Sequence, residues 1–146
     1  MVIQLPIQVS GAGASAQNIA AASSGISQYW SGTFGDLEVD TQVVTGAENK
    51  IVLSSDATRS FVNMPVGGAG DSGTWGVDNI DWVPAHEAGH LMGLGDRYVD
   101  VWESTLRATI SAPFGTGVGN IMGTWGARPS AADIQQALGM CKKFGK

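Results

Sequence analysis

His86-Glu87-Ala88-Gly89-His90-Leu91-Met92-Gly93-Leu94-Gly95-Asp96, or HEAGHLMGLGD, holds the only two histidines in a chain of 146 residues. They stand at i and i+4, so on a helix both imidazoles lie on one face, one turn apart, and can reach a single metal ion. Zinc held through neutral imidazole keeps enough charge to acidify its water, and Glu87 between the ligands is placed to take that water's proton. Catalytic zinc needs a third protein ligand with the fourth position left open. Asp96 lies too far along to share the turn if the helix continues, but Gly93 can take a positive φ and let the chain double back, and Gly95 adds freedom. Zn2+ bound by His86, His90 and Asp96, with Glu87 as base, is therefore the expected centre. A blander reading makes Gly93 a plain helix cap, pairs the histidines with Asp81 or Glu87, and pairs Asp96 with Arg97.

Outward from this motif, the spacing predicts a helix capped by Asp81, with Pro84 in its first turn and its stop at Gly93. Upstream, Val2–Gly11 alternates apolar and polar residues as a strand does. Ile19, Ala22, Ile26 and Trp30 mark a helix from an N-cap at Ser15 to about Trp30. Leu37–Gly46 and Lys50–Ser55 read as two further strands separated by a turn around Gly46–Asn49, and Phe61–Val66 as a possible fourth. Gly67–Gly76 reads as a loop. Downstream, residues 97–128 look mostly irregular, with a short helix at Asp100–Arg107. Ser130–Asp133 resembles a capping box that opens a last helix to about Lys143.

Composition bounds the partners. One domain is expected from the length. Charged residues make up 14% of the chain, against about 25% in ordinary soluble proteins. A net charge of −5 argues against nucleic acid, which needs a basic face. Lys142, Lys143 and Lys146 read as a solvated tail. Cys141 is the single cysteine, so no intrachain disulfide forms. No apolar run approaches the ~20 residues of a membrane span, so no membrane partner is expected. Ala14-Ser15-Ala16 resembles a signal-peptidase site only in composition, and without a basic segment before it the N-terminus reads as mature structure.

HExxHxxGxxD resembles the zinc signature of the metzincin clan of metallopeptidases. Its aspartate form is that of snapalysin-like small bacterial proteases, and Asp96-Arg97-Tyr98 continues in their manner. Similar motifs occur in metallopeptidase toxin domains that bacteria deliver. Metzincins carry a methionine in a tight turn below the metal, and Gly119-Asn120-Ile121-Met122-Gly123 fits that place. Taken alone, Met122 would read as core packing; its position between the zinc motif and a final helix makes it the Met-turn candidate. The resemblance implies a single α/β domain, with a twisted mixed sheet backed by two helices, a Met-turn and a C-terminal helix. It also implies a zinc endopeptidase acting on polypeptides, expected as a monomer, with Trp125 near the pocket for the side chain after the cut. No tyrosine follows Met122, so Tyr98 or a backbone N–H would assist the oxyanion. The disulfide typical of snapalysin-like enzymes cannot form.

Other readings stay open. Glu103 is the only glutamate after the motif that could serve as a carboxylate ligand. The Gly-Thr-x-x-Asp element of fungal aspartate-type peptidases is missing at Gly115-Thr116 and at Gly123-Thr124. Gly11 and Gly13 follow a strand as in a dinucleotide-binding turn, but Glu38 and Asp40 stand at the wrong end of the second strand. A metal-stabilised binding module or an inactive peptidase is the runner-up.

Overall fold

The computed structural model describes the backbone of residues 1–56 and 59–144 and side chains up to residue 140. Cys141 and the expected Lys142, Lys143 and Lys146 tail lie outside the described side chains. The chain runs β1 (Val2–Ser10), α1 (Ala16–Trp30), β2 (Gly32–Phe34), β3 (Leu37–Thr45), β4 (Asn49–Ser54), β5 (Phe61–Asn63) and β6 (Ser72–Gly76). It continues through α2 (Val83–Leu91), β7 (Tyr98–Glu103), β8 (Ala108–Pro113), a 3-10 turn at Gly115–Gly117 and α3 (Ala131–Phe144).

Six strands form one mixed sheet in the order β2-β3-β1-β4-β6-β5. β1 is parallel to β3 on one side and to β4 on the other, and β4 is parallel to β6. The two ends of the sheet, β2 and β5, are antiparallel. Between β3 and β4 the chain steps across β1 at Pro6, with Gly46 packed on the proline ring and Asn49 donating to the Pro6 carbonyl at 2.7 Å.

In β1, Ile3, Leu5 and Ile7 are buried while Val2, Gln4 and Gln8 are exposed. That alternation gives the sheet one core face, and the helices cover it. α1 presents Ala22, Ile26 and Trp30 to the core, after a start at Ser15, whose side chain accepts from Asn18 N at 3.1 Å. Each fully buried aliphatic side chain contributes about 1.5–3 kcal/mol. Trp30 joins the helices directly, because its indole Nε1 donates to the Ala85 carbonyl of α2 at 2.7 Å. No helix among the described residues is long and apolar enough to cross a membrane.

Three local expectations change. Ser72–Gly76, expected within a loop, is an inner strand: β4 and β5 pair with it on its two sides, and Gly73 lets the Phe61 backbone approach where a β-carbon would overlap it. The helix expected at Asp100–Arg107 is instead a hairpin of β7 and β8, whose turn includes Arg107 at φ 50°. Valine, tryptophan, threonine and isoleucine favour strands here, and the period-2 signal was hidden because Val99, Val101 and Ile110 face solvent. Asp81 is not the cap of α2. The N-cap is Trp82, with no side-chain cap bond. Asn79, at φ 53°, turns the chain and accepts from Trp82 N and Val83 N, while the Asp81 backbone lies in a notch left by Gly25 of α1.

Candidate metal centre

The end of α2 builds the site. Gly93 takes φ 86°, Leu94 N donates to Gly89 O at 2.9 Å and Gly93 N donates to His90 O at 3.0 Å. This pair of bonds is the Schellman motif, which needs a left-handed residue just past the helix. α3 clamps it, with Met140 packed over Gly93 and Gln136 Nε2 donating to Gly93 O at 3.1 Å. The reversed chain brings Asp96 Oδ1 to 3.2 Å from His86 Nε2 and 3.3 Å from His90 Nε2. One ligand atom from each of His86, His90 and Asp96 lies within 4.8 Å of the others.

Hydrogen bonds fix which nitrogens face the site. His86 Nδ1 meets the Ile121 carbonyl and His90 Nδ1 meets the Leu94 carbonyl, each at 2.8 Å. A carbonyl oxygen only accepts, so both Nδ1 atoms carry the proton and both Nε2 atoms of the neutral rings present a lone pair. Two such lone pairs against a carboxylate oxygen repel unless something positive lies among them. Two extra protons would do this only by making imidazolium rings whose centroids are 5.1 Å apart. One divalent cation does it without that cost. Ligands about 2.0–2.1 Å from zinc in a tetrahedron stand about 3.3 Å apart, and the nitrogen–carboxylate separations match that edge. Two imidazoles and a carboxylate form a donor set that suits zinc.

Without an ion, the same contacts would instead be held by protons on the Nε2 atoms. Burial alone would raise the Asp96 carboxyl, but hydrogen bonds and charge from His86 and His90 outweigh it and hold the pKa well below the usual carboxylate range. Burial disfavours a charged His90, yet the Asp96 hydrogen bond and charge win and raise it. Glu87 is 5% exposed, and its Oε2 has no hydrogen-bond partner. Burial raises its carboxyl against the pull of His86 and His90.

His86 and Glu87 open onto a cleft of about 370 Å³, also lined by Arg59, Trp82, Tyr98 and Trp125. Trp125 lies against Trp82 with ring centroids 4.4 Å apart. The Tyr98 ring stands 6.1 Å from His86, and its hydroxyl accepts from Arg59 Nη2 at 3.1 Å. Arg59 also pairs with Asp100 at 2.6 Å, joining the segment before β5 to the hairpin.

Met122 is fully buried under α2, its sulfur against Gly89 between the two histidines. Its own N–H donates to Asn120 Oδ1 at 2.9 Å, and its carbonyl accepts from Arg97 N at 2.7 Å. Arg97 does not pair with Asp96: its guanidinium meets the buried Asp133 at 2.7 Å. Glu103 lies at the end of β7, where its carboxylate accepts from Thr105 N at 2.8 Å, and is not among the three grouped donors. Gly11 and Gly13 pack against the Leu53 backbone, with Gly13 N donating to Leu53 O at 2.9 Å, which accounts for both glycines without a nucleotide.

Sequence reasoning missed Arg59, Asp100, Asn120 and Asp133. The local sequence marks Asp133 only as half of a capping box, and Asn120, two residues before Met122, carries no local signal of its role. No protein-family model matches the chain, and no curated protein matches it in sequence.

Proposed function

We propose that this chain is a zinc-dependent endopeptidase of metzincin type, with His86, His90 and Asp96 as metal ligands, Glu87 as general base and Met122 as the Met-turn residue. One observation carries the reading. Two imidazole Nε2 atoms, each set by a carbonyl on the opposite nitrogen, converge on the Asp96 carboxylate beside a buried glutamate with an unpartnered oxygen. A structural zinc site is normally closed by four protein ligands; three ligands beside an open cleft and a base suit hydrolysis better than a binding module.

When bound, zinc polarises a peptide carbonyl and lowers the pKa of a water. Glu87 accepts the proton of that water and carries it to the leaving amine. The polypeptide lies extended along β5, one of the two edge strands of the sheet, and adds itself as a strand. Trp82 and Trp125 line the cleft beside His86 and offer aromatic faces to the side chain that follows the cut.

The test is metal analysis of the purified protein, with casein cleavage measured before and after chelation and in Glu87→Ala. Stoichiometric zinc, activity that chelation abolishes, and an inactive but metal-loaded Glu87→Ala are expected. Zinc binding with equal cleavage by wild type and Glu87→Ala would remove the catalytic claim. Zinc binding without any cleavage would favour the binding module.

A further inference from the structure

Asp133, at the start of α3, is fully buried, and its hydrogen bonds and ion pair run to Ser130, Asn120 and Arg97 rather than to the three proposed ligands. Capping the helix accounts for part of its bonding: Ser130 N and Ser130 Oγ both donate to Oδ2 at 2.7 Å. The remaining contacts reach away from the helix. Asn120 Nδ2 donates to the same oxygen at 2.5 Å, and the Arg97 guanidinium lies 2.7 Å from Oδ1.

Each of those two contacts leads to the metal centre in a few steps. Asn120 accepts from Met122 N and so shapes the turn containing Ile121, whose carbonyl orients His86. Arg97 directly follows Asp96, and its own N–H is held by the Met122 carbonyl. A single carboxylate thus ties together the turn that aims one ligand and the residue next to another. A buried ionised group costs free energy unless it is paired and hydrogen-bonded, and here the pairing partners flank the site.

We infer that Asp133 is a positioning residue for the metal centre, holding the His86-orienting turn and the Asp96 segment in register through Asn120 and Arg97. This rests on the zinc reading above. Partners that orient metal ligands through hydrogen bonds typically change metal affinity by about 10–100-fold when removed. Asp133→Asn keeps the size of the side chain but loses the charge that Arg97 needs, and it turns an amide toward groups that are already donors.

The experiment measures the zinc dissociation constant by competition with a chromophoric chelator, and the visible absorption bands of the cobalt-substituted protein. Wild type, Asp133→Asn, Arg97→Gln and Ile51→Val are compared. Ile51, buried in β4 away from the site, controls for general loosening of the core. Expected are a zinc dissociation constant raised about 10–100-fold in Asp133→Asn, a weaker loss in Arg97→Gln, altered cobalt bands in both, and wild-type behaviour in Ile51→Val. Should Asp133→Asn fail to fold, Arg97→Gln, which leaves the Ser130 and Asn120 bonds in place, decides the matter. Wild-type zinc affinity and cobalt bands in the folded variants, or an equal loss in Ile51→Val, would overturn the inference while leaving the zinc site standing. A wild type that binds no zinc would overturn both.

Discussion

Gly89 and Met122 are in direct contact: the methionine sulfur rests on the helix backbone between His86 and His90, where any β-carbon would overlap it. The glycine between the paired histidines is therefore a packing requirement. Gly89→Ala gains helix propensity of about 1 kcal/mol but forces an overpacked contact worth about 1–3 kcal/mol, and the sulfur or the helix must move. A lowered thermal midpoint and weakened zinc binding are expected; unchanged values of both would show that Met122 has room to yield.

Asp96→Ala removes a proposed ligand, the carboxylate whose Oδ1 lies 3.2 and 3.3 Å from the two Nε2 atoms. Zinc affinity should fall by more than the roughly 10–100-fold typical of a supporting partner. The fold should persist, because Asp96 is part-exposed and outside the core. Chelator competition alongside circular dichroism checks this. Retained affinity would remove Asp96 from the ligand set.

Trp30→Phe keeps most of the apolar packing but removes the indole N–H that adds a second donor to the Ala85 carbonyl inside α2. Losing one buried hydrogen bond costs about 0.5–1.5 kcal/mol net. Urea unfolding should report a loss of that size, and a midpoint equal to wild type would mean that the indole bond adds nothing net.

Acid should destabilise the metal-free protein through Asp133. Burial raises its carboxyl, but the hydrogen bonds from Ser130 and Asn120 and the Arg97 charge outweigh this, so its folded pKa lies below the usual value. A depressed folded pKa means stability that is fully present above the unfolded value of about 3.9 and lost as pH falls through the folded value. Unfolding free energy should drop on acidification below about pH 4, and the drop should be shallower in Asp133→Asn. Parallel acid profiles for the two proteins would contradict this assignment.

What the sequence determined by itself is the machinery contained within one turn and its stop. The i, i+4 spacing places two imidazoles on one face, and a glycine two residues past the last helical one permits the left-handed turn back to Asp96. These relationships span only a few covalent links, so local backbone geometry enforces them. The strong alternation in β1 and the buried stripe of α1 were legible for the same reason, since each element declares its core face in its own residues.

Tertiary structure decided the rest. Ser72–Gly76 is too rich in glycine to declare itself a strand and becomes one because β4 and β5 pair with it. The hairpin at 98–113 exposes its valines, so it lacks the apolar-in, polar-out signal of a strand. Which carbonyl aims His86, and why Arg97 turns away from Asp96, depend on Ile121 and Asp133. Those partners lie 35 and 36 residues along the chain from the side chains they hold, and only a folded core brings such distant groups within hydrogen-bond reach.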